Sequence, residues 1–209
     1  VEDVAHLWLV EAMWNVPNIM TLGRLAMLPV LCWMIWPGVE NRLLSFWAGL
    51  LYGAAGALDV LDGYLARRLN AVTLLGKFLD PLADKLYLLV TLIALMQLPG
   101  ERVPAWIVMF ILTRELAITG LRGIAAAQGV VIDAGQEGKI KTVFVTVGTC
   151  ALIMHYDYYV DIGFYQGVIS CKEVGLFITY ISLCYSTISA FDYTRAFIKA
   201  SEKIRPAAS

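Results

Sequence analysis

Residues 58–85 read LDVLDGYLARRLNAVTLLGKFLDPLADK and place four aspartates in otherwise largely apolar sequence. Asp59 and Asp62 lie three residues apart, and Asp80 and Asp84 lie four apart, so each pair occupies one face of a predicted helix. Because the link between the two helices is short, we expect them to pack antiparallel. The four carboxylates are then expected to converge at one level of the helix pair.

The composition indicates a membrane protein. The chain has 209 residues, of which 59 % are hydrophobic and only 16 % charged, and its mean hydropathy is +0.70. Soluble domains are closer to half apolar and a quarter charged. The net charge of −1 gives no sign of a nucleic-acid surface. The four cysteines follow no metal-binding spacing, so a zinc site is not expected.

The apolar runs are long enough to cross a bilayer, which takes about 20 residues each. We predict an all-α integral membrane protein with six transmembrane helices in one domain, residues 16–200. Residues 1–15 are predicted to form a juxtamembrane amphipathic helix, and residues 201–209 a C-terminal tail. The predicted spans are 18–36, 43–69, 73–98, 104–127, 138–156 and 168–197.

The basic residues predict the orientation of these spans. An even number of spans puts both termini, the 2–3 link and the 4–5 link on one side, which collects twelve Lys and Arg residues against three on the other. Positive charge is enriched on the cytoplasmic side. We therefore expect a protein of the inner (cytoplasmic) membrane, with both termini and the aspartates facing the cytoplasm.

An aspartate near the bilayer centre costs roughly 2.5–3.5 kcal/mol, and four facing acids also repel one another. Short carboxylate ligands on adjacent helical turns suit hard divalent cations such as Mg²⁺ or Mn²⁺. We therefore interpret Asp59, Asp62, Asp80 and Asp84 as ligands of two such ions that bind a pyrophosphate. A cation or proton path through a transporter is the alternative interpretation.

The whole pattern, D-x2-D-G-x2-A-R-x8-G-x3-D-x3-D from Asp59 to Asp84, resembles the signature of the CDP-alcohol phosphotransferases. Eight fixed positions fall within 26 residues. The resemblance implies that an alcohol attacks the phosphorus distal to cytidine and that CMP leaves. It also implies that Asp59, Asp62 and Asp80 bind metal, while Asp84 is the general base and contacts metal as well.

Further stretches are similar to one branch of that family, the phosphatidylglycerophosphate synthases. These are residues 15–24, NVPNIMTLGR, residues 80–85, DPLADK, residues 113–129, TRELAITGLRGIAAAQG, residues 138–142, GKIKT, and the Asp192-Tyr193 pair. This branch joins CDP-diacylglycerol to sn-glycerol 3-phosphate, and the family resemblance implies a homodimer among membrane lipids. The residues expected around CDP are Asn18, Thr21, Arg24, Gly63, Ala66, Arg67 and Gly76.

An acceptor that carries a phosphate dianion needs fixed positive charge. The candidates are Arg114, Arg122, Lys139 and Lys141, because arginine binds phosphate with two donors and lysine with a point charge. Ordinary positive-inside residues or lipid-headgroup contacts are the alternative for the last three. Glu115 is a further alternative partner for these bases.

The acceptor itself stays open within this chemistry. Phosphatidylglycerol, an inositol phosphate and serine are the other candidates. Val145 stands where related enzymes often carry glutamine, which is one departure from the pattern.

Overall fold

The computed structural model describes residues 16–68, 74–129, 136–161, 163 and 166–204. Within the helices, side chains are described except at 16–18, 20, 59–68, 74–80, 136–137 and 202–204. The chain divides into two compact units, Val1–Arg102 with Ile153–Tyr156, and Val103–Leu152 with Asp157–Ser209.

The described residues form six helices and one two-stranded sheet. Their bounds are α1 Val16–Met34, α2 Arg42–Arg68, α3 Leu74–Met96, α4 Ala105–Ala127, α5 Gln136–Met154, β1 Asp157–Asp161, β2 Gln166–Ser170 and α6 Cys171–Ile204. The predicted helical class is confirmed, and each predicted span corresponds to one helix. The predicted helix at 1–15 lies outside the described residues. Helix α6 continues to Ile204, so it includes the start of the predicted tail.

In the first unit, α1 packs against both α2 and α3. Helices α2 and α3 meet at Tyr52 and Tyr87, whose rings stack with centroids 5.1 Å apart and planes 15° apart. Both tyrosines are buried, at 2 % and 7 % exposure. Tyr52 lies sixteen residues before the end of α2 and Tyr87 lies thirteen residues after the start of α3. A contact at these positions agrees with the predicted antiparallel packing.

Helix α2 begins at a polar cap. The Oδ1 atom of Asn41 accepts hydrogen bonds from the backbone N–H groups of Leu43 and Leu44, at 3.1 and 3.0 Å. These are donors that the helix itself leaves without a carbonyl partner. The preceding turn contains Pro37 and Gly38, and Gly38 has a φ of +84°, which favours glycine. This end of the first span was predicted correctly from the same two residues.

A buried arginine ties the first unit together at the end of the α3–α4 connection. Arg102 Nη1 donates to Ser45 Oγ at 3.4 Å and to the Ile153 carbonyl at 3.2 Å, and its guanidinium lies 5.7 Å from the ring centre of Tyr156. Arg102 is 2 % exposed. A base that was predicted to mark only membrane orientation is therefore a structural contact as well.

In the second unit, α4 packs against α6, and α5 crosses α6 at two glycines. A Cβ atom on Gly148 would lie 2.6 Å from Thr179 Oγ1 and 3.2 Å from the Gly175 carbonyl oxygen. A Cβ atom on Gly175 would lie 2.9 Å from the backbone nitrogen of Leu152. The absence of side chains at both positions is what allows the backbones of α5 and α6 to approach this closely.

A β-hairpin precedes α6 and was not predicted. Strand β1 pairs antiparallel with β2, so that Tyr159 faces Val168. The turn is held by Asp161, which accepts from Gly163 N at 3.1 Å and from Gln166 Nε2 at 2.9 Å. The predicted last span started at 168 and so included the last three residues of β2; the helix starts at Cys171.

By length and apolar composition, one stretch among the described residues is able to cross a membrane, Cys171–Ser201 in α6. A shorter apolar stretch, Thr21–Met34, lies in α1. Helix α4 is as long as a span, but Arg114, Glu115 and Arg122 interrupt its apolar sequence. The six-span topology stays a prediction.

Candidate active site

The stacked tyrosines set the register of the helices that carry the aspartates. Asp59 lies seven residues after Tyr52, and Asp80 lies seven residues before Tyr87. Seven residues are two helical turns, or about 10.5 Å along the axis. In an antiparallel pair this spacing would put Asp59 and Asp80 at the same level; their side chains lie outside the described set, so this convergence stays a prediction.

Asp84 is the aspartate whose side chain is described, and it lies beside a buried arginine. Arg24 Nη1 on α1 donates to Asp84 Oδ1 on α3 at 2.9 Å. The Arg24 side chain is 7 % exposed, whereas that of Asp84 is 48 % exposed. Thr21, one turn before Arg24, is also buried. Two of the residues predicted to bind CDP therefore have buried side chains on α1, and Arg24 contacts the predicted base.

The remaining predicted residues of this region lie on the expected helices, but their side chains are outside the described set. They are Asn18 on α1, Asp59, Asp62, Gly63, Ala66 and Arg67 on α2, and Gly76 and Asp80 on α3. Among the side chains that are described, no three His, Cys, Asp or Glu form a group that would hold a metal ion. Three of the four predicted ligands lie outside that search, so the metal site stays a prediction. The hard oxygen of Asp84 fits such a site.

A second cluster lies in the other unit and contains three charged side chains. Glu115 Oε1 accepts from Arg114 Nη1 at 3.0 Å and also forms an ion pair with Lys141 Nζ. The exposures of the Arg114, Glu115 and Lys141 side chains are 10 %, 13 % and 10 %. Arg114 and Glu115 lie on α4 and Lys141 lies on α5. Two predicted acceptor-binding residues are therefore brought together by an acid that was expected to compete for them.

Helix α6 completes the surroundings of this cluster. Arg114 Nε donates to the Ser186 carbonyl at 3.2 Å, and Ser182 Oγ donates to the Lys141 carbonyl at 3.3 Å. The Arg122 guanidinium lies 5.3 Å from the ring centre of buried Tyr193. The charges of Arg114 and Arg122 both act on Lys141, so three of the four predicted basic residues share one electrostatic environment.

Lys139 and Val145 differ from these residues in their placement. Lys139 lies two residues before Lys141 on α5 and is exposed. Val145, one turn after Lys141, is buried, and its carbonyl accepts from Thr149 Oγ1 at 2.7 Å. The position that often carries glutamine in related enzymes is thus an apolar side chain in the interior of this unit.

Sequence reasoning missed three contributions to these sites. Tyr52 and Tyr87 were not singled out, although their seven-residue spacing from Asp59 and Asp80 was visible. The Ser186 carbonyl was not predictable, because a backbone acceptor carries no signature in the residue type.

A helical protein with a buried basic cluster, and with four aspartates predicted to converge on a helix hairpin, fits an enzyme that handles phosphate anions. Known proteins agree with this class. The family model described as CDP-alcohol phosphatidyltransferase matches residues 14–186. The chain therefore belongs to the CDP-alcohol phosphatidyltransferase family, and it is an enzyme of the transferase class.

Named relatives narrow the branch. The chain is 43 % identical over 153 residues to the CDP-diacylglycerol–glycerol-3-phosphate 3-phosphatidyltransferase of Bacillus subtilis (strain 168), covering 68 % of this chain and 78 % of that protein. It is 32 % identical over 184 residues to the enzyme of the same name from Rickettsia typhi, covering 88 % and 97 %. It is also 39 % identical over 116 residues to a cardiolipin synthase (CMP-forming) from Streptomyces coelicolor, covering 55 % and 53 %.

Proposed function

We propose that this chain transfers a phosphatidyl group from CDP-diacylglycerol to sn-glycerol 3-phosphate and releases CMP. The observation that carries the acceptor assignment is the buried cluster of Arg114, Glu115 and Lys141. Its formal charge is +1, because one carboxylate faces two cations. A buried net cation is costly unless an anion completes it. The phosphate dianion of the acceptor supplies that charge, whereas glycerol is uncharged and serine, which carries no phosphate, has no net charge.

The donor site is assigned to the first unit. The spacing of the aspartates, with Asp59 and Asp80 each seven residues from the stacked tyrosines, supports a site for Mg²⁺ or Mn²⁺, with Asp62 and Asp84 as the further ligands. Two such ions, when bound, neutralise charge on the diphosphate of the donor. Thr21 and Arg24, together with Asn18 and Arg67, would line the CDP site. Gly63, Ala66 and Gly76 would leave room for it.

The reaction forms one bond and breaks one. A hydroxyl oxygen of glycerol 3-phosphate bonds to the phosphorus that carries diacylglycerol, and the bond from that phosphorus to the bridging oxygen breaks. CMP leaves with the electron pair, and the hydroxyl proton goes to Asp84. The 48 % exposure of the Asp84 side chain makes it accessible to an incoming acceptor, and Arg24 holds one of its oxygens in place. A carboxylate within hydrogen-bond reach is the geometry that a general base requires.

The setting is a membrane, because the donor is a lipid. We propose six spans in the cytoplasmic membrane, with the active site and both termini on the cytoplasmic side, and a homodimer as the resemblance to the family implies. Large apolar side chains that are more than half exposed support contact with lipid; these include Trp33, Trp47, Leu116, Phe177 and Phe191.

A direct assay tests the substrate assignment. Purified chain is mixed with CDP-diacylglycerol in detergent micelles, Mn²⁺ and one acceptor at a time, and CMP is measured. Glycerol 3-phosphate is expected to release CMP, and glycerol, which lacks only the phosphate, is the matched control. If glycerol 3-phosphate releases no more CMP than water does, the assignment fails.

Cardiolipin synthesis is a second candidate, which the similarity to the Streptomyces coelicolor protein favours. Phosphatidylglycerol carries a phosphodiester with one negative charge, so it completes the basic cluster less well than a dianion. More CMP from phosphatidylglycerol than from glycerol 3-phosphate in the same assay would select this candidate. Inositol phosphate and serine are tested as further acceptors in the same assay. Ion flux without any CMP release would indicate a transporter.

A further inference from the structure

The ammonium group of Lys141 is held at the basic cluster by its contact with the side chain of Glu115. Arg114 has two fixed partners, the Ser186 carbonyl at 3.2 Å and Glu115 Oε1 at 3.0 Å. The Lys141 ammonium pairs with the same Oε1 atom. Lysine carries its charge on a flexible four-carbon stem, so the position of the ammonium depends on the acid that it contacts.

Glu115 also makes the neighbouring cations compatible. The side chains of Arg114 and Lys141 are both about nine-tenths buried, and Arg122 adds a third positive charge that acts on Lys141. Like charges in a buried setting repel strongly. Without an anion between them, the flexible lysine would move away from the rigidly held arginine.

The shared contact leaves capacity for a ligand. Both cations meet Glu115 at one oxygen, Oε1. An arginine has five N–H donors and a lysine has three, so one contact each to Glu115 and one from Arg114 to Ser186 do not exhaust them. One carboxylate offsets only one of the two cations that it contacts, so Arg114, Lys141 and Glu115 together keep a charge of +1 that an anionic ligand can meet.

We propose, on the basis of the function proposed above, that Glu115 is a positioning residue that holds Lys141 beside Arg114 so that both cations bind the acceptor phosphate. Glu115 itself does not contact the reacting atoms. Its loss should therefore weaken acceptor binding without changing the use of the donor lipid.

The test compares Glu115→Gln with the unaltered chain in the CMP assay, varying glycerol 3-phosphate and CDP-diacylglycerol separately. We expect the KM for glycerol 3-phosphate to rise roughly 10- to 100-fold, while kcat and the KM for CDP-diacylglycerol change less than about threefold. Glu115→Asp keeps the charge on a shorter stem, so a smaller rise is expected. Glu173→Gln, which alters an exposed acid in the first turn of α6, is the matched control and should leave all three constants unchanged.

A double variant asks whether Glu115 acts through Lys141. If it does, Glu115→Gln combined with Lys141→Met raises the acceptor KM no further than Lys141→Met alone. If the two substitutions instead raise the acceptor KM by the product of their separate effects, the inference is contradicted. So would a Glu115→Gln variant in which thermal stability and kcat fall while the acceptor KM stays within about twofold, because that is the signature of a purely structural contact.

The outcomes separate the two proposals. An unaltered chain that gives no CMP with glycerol 3-phosphate overturns the proposed function and this inference together. An unaltered chain that is active, combined with an unchanged acceptor KM in Glu115→Gln, overturns the inference alone. If Glu115→Gln does not fold, Glu115→Asp provides the same comparison with the charge retained, and an unchanged acceptor KM there also contradicts the inference.

Discussion

Burial distinguishes two lysines that the sequence treats alike. Lys139 and Lys141 are two residues apart on α5, so they project about 200° apart around the helix. Lys141 is buried against Glu115, and Lys139 is exposed. Both cannot face the same site equally. The predicted set of four basic residues therefore divides, with Lys141 at the cluster and Lys139 on the outer side of the helix.

We predict that Lys141→Met raises the KM for glycerol 3-phosphate roughly 10- to 150-fold, because a hydrogen bond to a charged group is worth about 1.5–3 kcal/mol. Lys139→Met should produce a clearly smaller rise. Steady-state CMP release at varied acceptor concentration measures both. Equal effects from the two lysines would contradict the division drawn from their burial.

The proposed general base, Asp84, leads to a second prediction. Asp84→Asn should lower kcat about 10²- to 10⁴-fold, the usual loss when a general base is removed, while CDP-diacylglycerol still binds. Asp59→Asn, which alters a predicted metal ligand, should weaken that binding. Equilibrium binding of the donor lipid in the presence of Mn²⁺ separates the two. Equal loss of binding in both variants would mean that Asp84 is chiefly a ligand.

Helix packing in the second unit depends on absent side chains. Gly148 and Gly175 let α5 and α6 approach, and Thr179 Oγ1 donates to the Gly175 carbonyl at 2.7 Å within this contact. In the proposed lipid setting the hydrophobic driving force between helices is weak, so close van der Waals contact would have to stabilise the pair. A small side chain added at the crossing has nowhere to go.

Gly148→Ala is therefore expected to destabilise the chain by about 1–3 kcal/mol, the cost of overpacking. The new Cβ would lie 2.6 Å from Thr179 Oγ1. Gly120→Ala on α4 is the control, because nothing lies within 4 Å of its added Cβ. Thermal unfolding in detergent should show a lower midpoint for the first variant and no loss for the second. An unchanged midpoint in Gly148→Ala would show that α5 and α6 separate easily.

The α2–α3 pair has its own determinant, the stack of Tyr52 on Tyr87. If this contact sets the level of Asp59 and Asp80, Tyr52→Ala should raise the Mn²⁺ concentration needed for half-maximal activity, because misplaced ligands bind metal less tightly. Trp47→Ala, on the same helix but 55 % exposed, should not. Metal titration of CMP release tests this. If Tyr52→Ala needs no more Mn²⁺ than the unaltered chain, the tyrosine stack does not set the level of Asp59 and Asp80.

The exposed side chains of the described helices agree with the proposed lipid setting. Large apolar side chains are exposed on described helices of both units, among them Trp33 and Phe191. Leaving each of them in water would forgo about 1.5–3 kcal/mol of burial energy. Lipid removes this cost without requiring a packed core. Together with the apolar stretch of α6, this supports the proposed multi-pass topology.

That topology makes a prediction about the hairpin. With six spans and cytoplasmic termini, residues 157–170 are expected on the side of the membrane that faces away from the cytoplasm. In a chain whose four cysteines are replaced by alanine, Gln166→Cys should react with a membrane-impermeant maleimide in intact cells. Ser209→Cys should react only after permeabilisation. If both positions are labelled in intact cells, they lie on the same side of the membrane. That result would contradict a single crossing by α6 between the hairpin and the C-terminal end.

Much of the fold was predictable because its determinants are local. Apolar runs of span length and the breaks at Pro37-Gly38 and Pro99-Gly100 predicted where each described helix lies. The hairpin was missed because strands of five residues in an apolar stretch have no periodicity that separates them from the start of a helix. Its turn depends on side-chain contacts of Asp161, which only the folded chain displays.

The amino-acid sequence by itself determined the helical class, the aspartate spacing and the family, since these follow from composition and from residues close together along the chain. Tertiary structure alone decided that Glu115 joins Arg114 to Lys141, that Arg24 holds Asp84, and that Tyr52 meets Tyr87. These partners lie 26 to 60 residues apart. Which of many possible partners a charge or a ring selects depends on helix packing, and packing is a property of the whole fold.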